Sequence, residues 1–321
     1  MTPERLVIAT RGSELALWQS SHIKSLLEQQ HPGLVVELQI IKTLGDKILD
    51  SPLSKIGDKG LFTKEIEHAL LEGAADLAVH SLKDIPTILP EGLLIAAVTR
   101  REDVRDVFVA HPKRNRSLGD LPSGSTMATG SLRRRCQLLH YNRSFEIIDV
   151  RGNLNTRLKK LDTSDWDGMI LAKAGLVRLG LEDRITEILP FDIMLPAVGQ
   201  GALAVETRSD AEAVRSLVGR LHDEQSAIAV EGERALLRRL EGGCQVPIGA
   251  YGRLEDGVYH LDAIIGSIDG ARVVRGSRRS APDQAAETGV RLAEELLQRG
   301  GKEILDEIRS QPSGATPPVQ P

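Results

Sequence analysis

Hydrophobic residues recur along the chain in two alternating rhythms, short apolar runs of strand character and longer stretches whose apolar positions share one helical face. Leu6-Val7-Ile8-Ala9 is the first run. Beyond Thr10-Arg11-Gly12-Ser13, the residues Ala16, Ile23, Leu26 and Leu27 mark a helix face with Ser13 as its N-cap. Val36, Leu38 and Ile40 alternate with Glu37 and Gln39, so a second strand follows. Strand, helix and strand in that order predict a right-handed parallel crossover. Further strands are expected at 77–79, 93–98, 107–110, 126–129, 145–150, 169–172 and 202–206. Helices are expected over about 63–72, after Gly130-Ser131 where Leu132, Cys136 and Leu139 share a face, and after Asn153 with Leu154, Leu158 and Leu161.

This grammar breaks in three places. The charged run Arg100-Arg101-Glu102-Asp103-Val104-Arg105 links two rounds of strand-helix alternation. The Pro- and Gly-rich passage 190–201 is of the kind that crosses between domains, and the strand after it returns to the first domain, giving a two-strand hinge. From about His222 a long helix carrying Ile228, Ala235, Leu236 and Leu240 stops at Gly242-Gly243, the expected glycine C-cap. Strands at 248–253, 258–266 and 271–279 and a helix with Val290, Leu292, Leu296 and Leu297 complete a small α+β unit. The expected domains are therefore 1–101 with 202–219, 102–201, and 222–310, followed by a disordered tail at 311–321.

Composition narrows the function. With 41% hydrophobic and 27% charged residues in 321, the chain reads as soluble and globular, and with 3% aromatics its cores must be aliphatic. No apolar run approaches the roughly 20 residues that span a bilayer, and the N-terminus lacks a signal-peptide pattern, so no membrane and a cytoplasmic location are expected. A net charge of -4 and few aromatics for stacking argue against nucleic acid. The eight histidines show no ligand spacing and Cys136 and Cys244 are far apart, so no metal is expected.

Candidate chemistry collects at strand ends, where open α/β sheets place their ligands. In Ala78-Val79-His80-Ser81-Leu82-Lys83-Asp84-Ile85-Pro86 a buried strand breaks into a polar cluster that Pro86 holds on a stiff turn, although alone this also reads as a surface ion pair. Arg133 and Arg134 occupy a helix's first turn, Arg151 and Arg157 recur after the next strand, and Lys173 and Arg178 after a third. Solvated scatter explains one such site well and three poorly, so anion binding is the stronger reading, and replacing these exposed arginines should harm activity more than stability. Cys136 reads as core, whereas Cys244 sits in a Gly-Gly-Cys loop where a thiol is reachable. The glycine-punctuated segment 46–64, with Lys55, Lys59 and Gly60, reads equally as a mobile lid or as a solvated connection.

Thr10-Arg11-Gly12-Ser13, Lys59-Gly60-Leu61-Phe62, Ala78 to Asp84, Gly130-Ser131-Leu132-Arg133-Arg134, Arg151-Gly152-Asn153, Gly199-Gln200-Gly201-Ala202 and Gly242-Gly243-Cys244-Gln245-Val246-Pro247 occur in the order found in the porphobilinogen deaminases, or hydroxymethylbilane synthases, and the chain resembles that family over almost its whole length. The resemblance implies a monomeric cytosolic transferase of tetrapyrrole biosynthesis that joins four porphobilinogens head to tail, losing ammonia each time, and releases hydroxymethylbilane. It implies two periplasmic-binding-protein-like α/β domains and a third α+β domain. It also implies a dipyrromethane cofactor, held by a thioether to Cys244, with Asp84 as the catalytic carboxylate. Lys83, Ser81, Thr129, Ser131, Arg133, Arg134, Arg151 and Asn153 would hold cofactor, and Arg11, Ser13, Arg157, Arg178, Gln200 and Lys59 would hold substrate. The chain departs from the family pattern at Asp58, where glycine is commoner, and in its Pro-rich tail. A solute-binding protein would share the twin-domain plan, but has no need of a third domain with a loop thiol.

Overall fold

The computed structural model describes residues 3–47, 60–114, 116–241 and 246–310. Lys55, Asp58, Lys59, the loop from Gly242 to Gln245 with Cys244, and the tail from 311 lie outside the described residues.

The first sheet is built from β1 (Arg5–Thr10), β2 (Val35–Ile40), β3 (Leu77–Ser81), β4 (Leu93–Val98) and β10 (Leu203–Arg208), in the order β2-β1-β3-β10-β4. Helix α1 (Glu14–Gln30) makes the parallel crossover from β1 to β2, and its Ile23 and Leu27 are buried with Leu6, Ile8, Val36 and Leu77. Helix α2 (Lys64–Leu71) covers the other face through Ile66 and Leu70, packed with Ala9 and Ala78. Strand β10 runs antiparallel to both neighbours, with Ala204 opposite His80 and Val98.

The second sheet repeats the plan. Its order is β7-β6-β8-β5-β9, from β5 (Asp106–Ala110), β6 (Thr126–Ala128), β7 (Glu146–Ile148), β8 (Gly168–Ala172) and β9 (Glu187–Ile188). Helices α3 (Leu132–Tyr141) and α4 (Leu154–Thr163) follow β6 and β7, and β5 is antiparallel to β8 and β9. In each sheet the antiparallel strand is the one whose chain arrives from the other domain. The two crossings run side by side, joined by Thr99 N–H to Leu203 O (3.0 Å) and Glu102 N–H to Gly201 O (3.2 Å).

Short elements escaped the pattern. Helix α5 (Lys173–Arg178), strand β9 and helix α6 (Glu212–Val218) are too brief to show a periodicity. The third unit packs α7 (Glu224–Arg239) and α8 (Ala285–Leu296) on the antiparallel sheet β11 (Ile248–Glu255), β12 (Val258–Gly266) and β13 (Val273–Ser280). Helix α7 ends with Leu240 as its cap and Glu241 at φ 50, so a non-glycine residue takes the left-handed position before the expected glycines. A buried knot ties this unit to the hinge: Arg101 forks onto Glu233 of α7 at 2.7 and 3.1 Å, and Glu233 accepts the N–H groups of Gly199 and Gly252 at 2.7 Å each. The fold class is the expected one, twin α/β domains joined by a hinge, with a small α+β domain beside them. Among the described residues no helix is long and apolar enough to cross a membrane.

Candidate functional site

Three strand-to-helix turns are closed by side chains expected at the site. Ser13 accepts Ala16 N–H at 3.3 Å, Ser131 accepts Arg134 N–H at 3.4 Å, and Asn153 accepts Thr156 N–H at 2.9 Å. Each is an N-cap that leaves the remaining helix-terminal N–H groups at the strand edge, where anions are favoured. Thr129 fixes the second turn by accepting Ser131 N–H at 3.2 Å. Gly152 completes the third at φ 113, where a Cβ would lie 2.7 Å from Thr156 Cγ2.

Between β3 and β4 the chain makes a single 3-10 turn, Leu82–Asp84, with Leu82 buried and Asp84 exposed. Ile85 donates its N–H to Leu82 O at 3.2 Å and is extended ahead of Pro86, which gives the stiff turn expected. Ser81 accepts Gln19 Nε2 at 2.8 Å. Burial pulls the Lys83 ammonium down to about 8; Asp84 opposes that shift, and Arg134 and Arg133 add to it. Burial likewise brings Arg157 down to about 10, reinforced by Arg134 and opposed by Asp84. Lys83 and Asp84 of the first domain thus share one electrostatic field with Arg133, Arg134 and Arg157 of the second.

Sequence reasoning missed the carboxylate at the middle of this field. Asp106, the first residue of β5, is fully buried. It accepts Arg133 Nη1 at 2.7 Å, Arg134 Nη2 at 2.8 Å and Gln200 Nε2 at 2.9 Å, while Gln200 Oε1 accepts Lys83 Nζ at 3.4 Å. Burial alone would raise the Asp106 carboxyl, but the two guanidinium charges hold it well below the usual carboxylate range. One carboxylate faces two guanidinium groups and an ammonium, so the centre remains cationic. A charged residue opening the otherwise apolar strand Val107-Phe108-Val109 was the available signal, since such a group is buried only with a partner.

One expectation is corrected. Arg133, Arg134 and Arg178 are not exposed but 5%, 6% and 7% accessible. The first turn of α3 faces the sheet and the hinge, so Arg133 also donates to Leu195 O, and Arg134 Nη1 donates to Ile170 O at 2.9 Å. Arg178 donates to Gly201 O at 2.6 Å, with Trp18 5.9 Å away. Such groups carry stability as well as any binding role, and the rule for exposed charges does not apply to them. Lys173 is paired with Asp103 at 2.8 Å, and Arg11 stacks 4.1 Å over the Phe62 ring. Cys136 is core, its thiol pushed up to about 12 by burial, which leaves it unreactive. Lys59 and Cys244 lie outside the described residues.

The arrangement suits a ligand with several carboxylates. Arg134 Nε and Arg151 Nε are buried donors without an acceptor among the described residues, a need that an anionic group could satisfy. Guanidinium forks match carboxylates better than point charges do.

A family profile described as porphobilinogen deaminase, dipyromethane cofactor binding domain, matches residues 6–216, and one described as porphobilinogen deaminase, C-terminal domain, matches residues 227–298. The porphobilinogen deaminase of Chlorobium phaeobacteroides (strain BS1) is 53% identical over 310 residues, covering 95% of this chain and 98% of that protein. That of Chlorobium luteolum (strain DSM 273) is 52% identical over 310 residues with the same coverage. Among solved structures, the chain is similar to the periplasmic VFT2 domain of Bordetella pertussis BvgS, at 13% identity and a TM-score of 0.39, covering 68% of this chain and 86% of that one.

Proposed function

The chain belongs to the porphobilinogen deaminase family, and from that premise we propose how its own residues carry the reaction. The enzyme joins four porphobilinogen molecules head to tail with loss of ammonia at each step, and releases hydroxymethylbilane. Its dipyrromethane cofactor, once bound, would supply an anchored pyrrole as primer. We assign the anchor to Cys244 and the catalytic carboxylate to Asp84. Asp84 accepts the pyrrole N–H of the incoming unit, stabilises the positive charge that develops as ammonia leaves, and later takes the proton from the ring carbon.

Arg134, Arg151, Lys83, Ser81, Thr129, Ser131 and Asn153 bind the carboxylates of the cofactor, with Arg133 beside them. Arg11, Ser13, Arg157, Arg178 and Lys59 serve incoming substrate, and Gln200 sets the Lys83 ammonium. The observation that supports this reading best is the shared field of Lys83, Asp84, Arg134 and Arg157, with acceptorless donors on Arg134 and Arg151. We place the domain limits at 1–101 with 202–219, 102–201 and 222–310, and take the enzyme to work as a cytoplasmic monomer. Intact mass and peptide mapping of purified active protein test the anchor: an adduct of two linked pyrroles on Cys244 is expected. An unmodified polypeptide, or an adduct on Cys136, overturns the assignment.

A further inference from the structure

After the Asp84 turn the chain leaves regular structure, and the carbonyls of Ile85, Pro86 and Thr87 point to the third domain. Arg234 of α7 donates Nη2 to Pro86 O at 2.7 Å and Nη1 to Ile85 O at 3.3 Å. One turn further along the helix, Arg238 donates Nη2 to Thr87 O at 2.8 Å. Two arginines four residues apart share a helix face, and here that face grips three successive carbonyls. No carboxylate among the described residues pairs with Arg234. Burial, helped by the Arg238 charge, brings its guanidinium down to about 10. A desolvated cation with carbonyl partners alone contributes little as an ion pair; what its planar fork supplies is geometry.

We propose that Arg234, supported by Arg238, is a positioning residue that fixes the Asp84 turn from the third domain. The helix that carries it also carries Glu233, bound to the hinge through Arg101. One helix therefore mounts both the hinge and the turn bearing the catalytic carboxylate. The position of the Asp84 turn is set by α7 as well as by the first sheet. This inference rests on the assignment of Asp84 as the catalytic carboxylate.

A double-mutant cycle on holoenzyme tests it, with Asp84→Asn, Arg234→Gln and the pair, reading kcat, KM and the Cys244 adduct by mass. Arg234→Gln should lower kcat about tenfold to a hundredfold, the scale of a misplacement near 1 Å, with KM changed less than about threefold and the adduct retained. Arg234→Lys, which keeps the charge and loses the fork, should fall between Gln and the parent. In the Asp84→Asn background the Arg234→Gln change should cost less than about threefold, because the group it positions is gone. Equal losses in both backgrounds, or normal kcat in folded Arg234→Gln, overturn the proposal while leaving Asp84 its role. Normal turnover of Asp84→Asn alone overturns both. If Arg234→Gln does not fold, Arg238→Gln runs the same cycle with a smaller expected loss, and the same outcomes decide.

Discussion

Lys83 is a half-buried, desolvated cation, and as a proposed ligand contact it should make binding depend on pH. Burial disfavours its charged form, so the ammonium that costs folding energy below about 8 is relieved of that cost as pH rises through 8 toward its ordinary 10.5. A carboxylate ligand favours the charged form. Ligand affinity should therefore fall above about pH 8, and binding there should take up a proton, which calorimetry in buffers of different ionisation enthalpy measures. Lys83→Arg should abolish the uptake, because a guanidinium stays charged. Asp106 has the opposite sign. Its depressed carboxyl contributes stability that is complete above the unfolded value near 3.8 and is lost as pH falls. Asp106→Asn leaves two buried guanidinium groups against a neutral amide, an expected loss of about 3–5 kcal/mol in chemical denaturation. The same variant should show a flatter acid limb than the parent.

Elements meet in a second polar cluster, behind the site, where α2, β3 and β10 pack together. His80 Nε2 of β3 lies 3.1 Å from Glu206 Oε2 of β10, and both side chains are buried. Glu67 of α2 joins them, with Lys64 on its own helix as the nearby cation; burial raises its carboxyl above the ordinary 4.5 and Glu206 adds to the effect. A raised acid reverses the Asp106 argument: stability is lost as pH rises from about 4.5 through the folded value, because the unfolded chain releases a proton that the fold retains. Glu67→Gln should remove that limb, so that melting temperature above pH 5 or so depends less on pH than in the parent. An unchanged slope would place the proton elsewhere in the cluster. The three helix caps work at the same scale, since Ser13, Ser131 and Asn153 each set where a helix begins and so where its N–H groups lie.

Across the whole molecule, three domains are held around two antiparallel crossings by the Arg101–Glu233 pair, whose carboxylate is fully buried. Arg101→Gln strands that carboxylate against two backbone N–H groups and should cost about 3–5 kcal/mol, read by denaturant unfolding. Replacing both partners with apolar residues should recover much of the loss. The sequence by itself determined the strands that flank the site and the helices α1, α3 and α4, because their apolar period is local and the caps stand beside the first turn. It pointed to a strand after the Pro-Gly passage, which lies in the first sheet between β3 and β4, and it named the family through motifs that keep their order. Tertiary structure alone decided that Asp106 lies between Arg133 and Arg134, that these arginines are buried, and that Arg234 reaches the Asp84 turn. Those partners are 27, 28 and about 150 residues apart. A periodic pattern reports which face of an element is apolar; it carries no term for the charge that another domain brings to that face.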